Sequence, residues 1–258
     1  MNNYVSSMRA SDGSIVKFEC HDALPSTARL AKQYAKINYP DRYIVFSEMR
    51  PKNDSDKRGR DGADRGIFMS CILRPSIFPS QASLISSLAA ASVAAALSEH
   101  TESDIGIGWV SEIYCNGRSI GRTTLEAKLD SFFAYEYIIV NFSLVIDKKS
   151  FPHRITDLVK QVFERDNSSV ELIIAKNIIN KFLSYYSALK TPEKFMDIYR
   201  QKFILRGRKI RCVINGKKER CKVLGIESEN CTLIVENSKK QVTHINTPNS
   251  VILPRKIK

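Results

Sequence analysis

Apolar residues recur along this chain in two rhythms, and the change between them divides it. Val16 to Cys20 alternates as a short strand. Leu24-Pro25-Ser26-Thr27 then supplies a turn and an N-cap for a helix carrying Ala28, Leu30, Ala31 and Ala35. Tyr43 to Phe46 reads as a buried strand and Ile67 to Leu73 as the next, with a polar stretch over 51–62 that predicts a long loop between them. Pro75 and Pro79 end the second strand, and an alanine-rich helix follows from about Gln81 to Ser98. Residues 108–129, led by the only tryptophan, Trp109, read as a strand, a tight Asn116-Gly117 turn and a second strand. Phe132 to Ile146 contains a central strand at Tyr137-Ile138-Ile139-Val140.

Helical spacing returns at 154–163, through Ile155, Leu158, Val159, Val162 and Phe163, and at 170–189, through Ile174, Ile178, Phe182 and Tyr186. Thr191-Pro192-Glu193 predicts an N-cap with proline in the first turn of a short helix ending near Arg200. Beyond it the period is two: Ile210 to Ile214, an Asn215-Gly216 turn, Cys221 to Glu227, Cys231 to Glu236 and a last strand near Val251. That is the pattern of a small β-barrel.

With 258 residues, 43% hydrophobic and 26% charged, the chain can bury one sizeable core, or a medium domain and a small one. Its longest apolar region, Leu84 to Leu97, is broken by Ser86, Ser87 and Ser92 and is too short and polar for a bilayer span. Met1 to Asp12 lacks the basic-then-apolar order of a secretory signal, so the expected location is cytoplasmic, with no membrane partner. The six cysteines are scattered, without a C-x-x-C pair or a histidine at ligand spacing, and read as reduced structural thiols with no metal site. None of the four histidines has a Ser or Cys partner in a nucleophile motif.

A formal charge of +13 favours an anionic partner, and from Phe203 onward thirteen Lys or Arg stand against four Glu. A solvated basic surface, docking to an acidic protein and contact with RNA are all compatible with that tail.

Strand and helix order, an Arg-Gly loop, a Trp-led hairpin and a terminal β-unit together resemble the biotin protein ligase family, within the biotin/lipoate ligase superfamily, in its form without a DNA-binding domain. Over roughly 15–255 the resemblance implies an α+β fold: a mixed β-sheet flanked by helices, class II synthetase-like, plus a small C-terminal SH3-like β-barrel. The implied organisation is an N-terminal extension at 1–14, a catalytic domain at 15–200 and the barrel at 201–258. The implied reaction joins biotin to ATP, with Mg2+, as biotinyl-AMP and passes biotin to a lysine on the carrier domain of a carboxylase. Specific DNA binding is not expected, and the family includes monomers and homodimers.

Residue by residue, the biotin-contacting Ser-Thr-Asn motif is similar to Ser26-Thr27-Ala28, and Glu-x-Gln to Glu48-Met49-Arg50, which puts Arg50 at the ring contact. The Gly-Arg-Gly-Arg-x-Gly adenylate loop resembles 57–62, giving Arg58, Gly59 and Arg60. Glycine there lets the backbone approach while guanidinium groups grip phosphate oxygens. Lys-Trp-Pro-Asn-Asp becomes Gly108-Trp109-Val110-Ser111-Glu112, keeping Trp109 and the Glu112 carboxylate. Lys-Lys-hydrophobic-Ala-Gly becomes Arg118-Ser119-Ile120-Gly121-Arg122, so the lysine that meets both the acid's carboxylate and the ATP α-phosphate falls on Ser119. Arg118 and Arg122 are the candidate substitute cations, and the glycines of a Gly-x-Gly strand become Asn141 and Ser143. Three readings therefore stand: a ligase with altered residues, a catalytically inactive paralogue (a pseudoenzyme) that binds a carrier or another partner, and an RNA-associated module.

Overall fold

The computed structural model describes residues 3–51, 64–77, 82–146, 169–227, 231–247, 250–253 and 256. The chain opens on two antiparallel strands, β1 (Tyr4–Arg9) and β2 (Ile15–Ala23), then α1 (Thr27–Lys36), β3 (Tyr43–Arg50) and β4 (Asp64–Leu73). α2 (Ala82–His100) precedes β5 (Ile105–Gly108), β6 (Glu112–Cys115), β7 (Arg118–Leu129) and β8 (Tyr135–Val145). Two helices, α3 (Val170–Ser187) and α4 (Glu193–Lys202), lead to β9 (Lys209–Ile214), β10 (Lys217–Ile226), β11 (Leu233–Glu236), β12 (Val242–Ile245) and β13 (Val251–Ile252).

Eight strands form one mixed sheet in the order β1-β2-β3-β4-β8-β7-β6-β5. Only β2 and β3 run parallel among these pairs, because α1 is the crossover that joins them. The other five strands form an antiparallel sheet, β12-β11-β10-β9-β13, consistent with a small barrel-like unit. The mixed α+β architecture expected from the sequence is therefore present.

The two faces of the large sheet are covered unequally. Phe18, Phe46, Met69, Cys71, Val140 and Phe142 pack into the main core with α2 and α3. α2 is apolar nearly all round, as a helix enclosed by sheet and helices must be, and its Ser87 and Ser92 hydroxyls donate to carbonyls one turn back. On the opposite face Val45, Ile72, Tyr137 and Ile139 form a smaller cluster with Ala31 and Ala35 of α1, bordered by Leu24, Leu30, Tyr34, Tyr39 and Tyr43. Ser26 caps α1 as the sequence predicts, its hydroxyl accepting from the Arg29 amide.

Several elements depart from the sequence expectation. Tyr4–Arg9, for which no strand is predicted, pairs along β2 and forms a sheet edge. The Trp109 stretch is three strands rather than two: β5 ends at Gly108, residues 109–111 turn, and β6 begins at Glu112. The N-cap of α4 is Pro192 without a side-chain cap bond, since the Thr191 hydroxyl donates instead to the Ala188 carbonyl. That helix also runs on to Lys202, and β12 is a further strand not read from the pattern. The predicted loop at 51–62, beyond Pro51, and the helix at 154–163 lie outside the described residues.

Two glycines let β8 be approached closely on both sides. A Cβ at Gly66 would run into the Leu144 carbonyl oxygen, and one at Gly121, whose φ is +154°, into the Ser143 carbonyl oxygen. Gly66→Ala and Gly121→Ala are each expected to lower stability by about 1–3 kcal/mol, the usual cost of overpacking. Urea denaturation midpoints measure it, and an unchanged midpoint contradicts the close approach.

Candidate functional site

Cross-strand partners share a sheet face, so the register lays out the site as rows. One row runs His21, Ser47, Phe68, Ser143, Arg122 and Glu112 over β2, β3, β4, β8, β7 and β6. The row behind it runs Glu19, Val45, Ser70, Asn141 and Thr124. α1 covers this face only as far as its first residue, Thr27, which sits over the second row with its hydroxyl 2.8 Å from that of Ser70. The first row lies beyond the helix N-terminus.

The second row is a connected polar floor. Ser70 donates to Asn141 Oδ1 at 2.8 Å, and Asn141 Nδ2 reaches the Thr124 hydroxyl at 3.4 Å. Ser70 is fully buried and Thr27 is 7% exposed, so these bonds satisfy groups that burial would otherwise penalise by about 1–3 kcal/mol each. At the edge of the same face Glu19 accepts from His21 Nε2, Tyr34 and Tyr43 at 2.8–2.9 Å. Burial and the Glu19 carboxylate push the Tyr34 phenol up to about 12 and raise Tyr43 likewise, so both remain donors.

Arg50 lies across the middle of the first row. Its guanidinium stacks over the Phe68 ring at 4.9 Å, donates to Asp64 at 2.9 Å and reaches the Ser143 hydroxyl at 3.3 Å. At the other end the Ser119 hydroxyl donates to Glu112 Oε1, and Arg122 stands directly opposite Glu112.

Thus Thr27, Arg50, Glu112 and Arg122 are laid out along one face of the sheet, with Ser119 bonded to Glu112 and Ser26 capping α1 beside it. Arg118 does not join them: it precedes Ser119 at the start of β7, opposite Cys115 and so on the other face of the strand, exposed, with its backbone in a β-bridge to Lys256. Trp109 is 4% exposed and donates its indole N–H to the Cys231 carbonyl at 2.7 Å, so its ring faces the C-terminal sheet. Arg58, Gly59 and Arg60 lie outside the described residues. Asn141, Ser143, Ser70 and Asp64 complete the surface. The first two stand in a motif the sequence displays, whereas Ser70 and Asp64 sit within or beside an apolar run that carries no sign of polar use.

The turn at 109–111 is held by neighbours distant in sequence. Tyr199 on α4 donates to the Val110 carbonyl at 2.9 Å, and Ser111 bonds the Thr123 carbonyl at 2.7 Å. Burial pushes the Cys231 thiol up to about 12 although Tyr199 and Ser87 hydrogen-bond to it. All six cysteines are free and buried. Among the described residues no group of three or more His, Cys, Asp or Glu side chains is placed to hold a metal ion, and no helix is long and apolar enough to cross a membrane.

No family model matches the chain. It is 24% identical over 234 residues to the bifunctional ligase/repressor BirA of Bacillus subtilis (strain 168), a match spanning 84% of this chain and 69% of BirA. A biotin protein ligase-like protein of unknown function from Silicibacter sp. superposes with a TM-score of 0.65 at 13% identity, over 92% of this chain and 97% of that one. The biotin protein ligase of Aquifex aeolicus in complex with biotin and ATP gives 0.62 at 16% identity, over 93% and 99%. The resemblance read from the residues thus extends to the whole fold.

Trp109→Phe removes the donor to a buried carbonyl and is expected to cost about 1–3 kcal/mol. Cys231 should then react faster with a thiol reagent under native conditions. Unchanged stability and labelling would contradict the joining role given to Trp109.

Proposed function

From the homology of this chain to the biotin protein ligases and the fold it shares with them, we infer that it handles the ligands of that family's reaction but joins acid to ATP slowly. Those ligands are biotin or a related acid, ATP with Mg2+, and the carrier domain of a carboxylase. In the reaction an acid carboxylate oxygen attacks the α-phosphorus, the bond to pyrophosphate breaks, and a carrier lysine later displaces AMP from the acyl group. Two anions must meet in the first step, so a fixed cation between them lowers the barrier.

The observation that carries this reading is the Ser119–Glu112 hydrogen bond. Where the resemblance calls for a lysine, this chain has a neutral hydroxyl committed to a carboxylate. Arg122, opposite Glu112 and Ser143 on the same face, is the residue we assign as substitute cation; Arg118, opposite Cys115, starts from the other face of β7. Thr27, with its Ser70 and Asn141 partners, and Ser26 at the helix cap would line the acid's end of the site. Arg58, Gly59 and Arg60 would grip the phosphates. We take 15–200 as the ligase-like unit and 201–258 as an SH3-like unit, with Trp109 joining the two.

The pose of Arg50 favours a second reading, a non-catalytic paralogue that holds a carrier protein. Stacked on Phe68 and tied to Asp64 and Ser143, the guanidinium occupies floor that an acid's ring would use.

Pyrophosphate exchange with biotin and ATP should run about 10²–10³ below an ordinary ligase, the cost of one missing electrostatic stabiliser. Ser119→Lys should raise it at least about tenfold, and Arg122→Ala should remove what is left. If Ser119→Lys stays inert and calorimetry shows no biotin binding, the non-catalytic reading replaces this one.

A further inference from the structure

The ligase-like site leaves unused a charge arrangement on the C-terminal sheet. Alternation on β9 and β10 turns Ile210, Cys212, Cys221 and Val223 inward and Lys209, Arg211, Lys218, Arg220 and Lys222 to solvent. The register then sets like charges face to face, Lys209 opposite Lys222 and Arg211 opposite Arg220. Directly opposed like charges destabilise a sheet. Among the described residues none of the five cations is in an ion pair. Glu219 points to the other face, opposite Cys212, where Asn237 donates to it. Glu236, opposite Lys222, is paired with Lys240 at 3.4 Å.

We propose that this face binds the phosphate backbone of a nucleic-acid duplex without reading its sequence. The ladder is built of Lys and Arg, and the large apolar residues exposed on its face among the described residues are Leu224 and Ile252 at its borders and Val242 beyond Glu236. Protein interfaces are organised the other way, around a desolvated apolar or aromatic centre depleted in lysine. Interfaces with nucleic acid are strongly positive, and Arg and Lys position the phosphates. No aromatic side chain stands on β9 or β10, so these strands offer no ring platform for unpaired bases, which sets a duplex above a single strand. Along each strand alternate side chains recur about every 6.8 Å, giving a two-row grid of cations rather than one isolated charge. Repulsion retained within the sheet is relieved when phosphates lie between the rows. Duplex DNA and duplex RNA present the same chemistry to such a surface. The proposal does not depend on ligase activity.

Fluorescence anisotropy with the full-length chain tests it, using mixed-sequence DNA and RNA duplexes of about 20 base pairs from about 50 to about 200 mM salt. With about four phosphates neutralised, affinity should fall roughly 10²-fold across that range. The double variant Arg211→Ala, Arg220→Ala should bind at least about tenfold more weakly and lower the logarithmic salt slope by about two. Its melting temperature should rise, because opposed charges have been removed. Tighter binding of either duplex supports the proposal and names the source. It is overturned if the duplexes do not bind, if the double variant binds like the parent or melts lower, if the matching single strand binds tighter, or if polyglutamate competes as well as the duplex.

Discussion

Register around β8 is the constraint on which the site depends. β8 is held between β4 and β7, and Gly66 and Gly121 let those strands come within reach of its Leu144 and Ser143 carbonyls. A slip of one residue would send every side chain of a strand to the opposite face. Ser143, Arg122 and Phe68 would then enter the core under α2 and α3, and Phe142 would meet water. The main core thus enforces the polar rows, because Phe142, Leu144, Met69 and Ile67 have only one face on which to be buried.

A second joint ties that sheet to the C-terminal strands. Trp109 reaches the Cys231 carbonyl, Tyr199 reaches the Val110 carbonyl, and the Cys231 thiol lies among Tyr199 and Ser87. Strong desolvation holds both Tyr199 and Cys231 in their neutral forms, so the joint is made of uncharged hydrogen bonds in a dry place. Such bonds each add modest net stability but are costly to leave half-made. Trp109 is thereby part of this joint.

Around the first row, chemistry and packing trade places. A site that must press two anions together wants unpaired positive charge and open backbone. Here the floor carries Asn141 and Ser143 side chains, Arg50 is neutralised by Asp64, and Ser119 serves Glu112. Arg50, Asn141 and Ser119 each have a local partner that satisfies their hydrogen-bonding groups. Arg122 stands apart, exposed on the row.

The alternating strands, the Ser26 cap, the alanine-rich helix and the Asn-Gly turns were legible in the sequence because each rests on neighbours a few residues apart. So was the family resemblance, carried by strand and helix order, the Arg-Gly loop, the Trp-led hairpin and the terminal β-unit. β1 was not legible, since YVSSMR has no apolar alternation and becomes a strand only by pairing along β2. Nor was the break in the hairpin at Trp109, which answers to Cys231 and Tyr199 far along the chain. Between Arg118 and Arg122 the sequence could name both as substitutes for a lysine but could not choose. The fold separates them, because register and the bulge in the β6–β7 pairing put Arg122 opposite Glu112 and Arg118 opposite Cys115, beside the Asn116-Gly117 turn. Local chemistry is written in the order of residues; which side chains share a face is decided by long-range pairing, and only the folded sheet contains it.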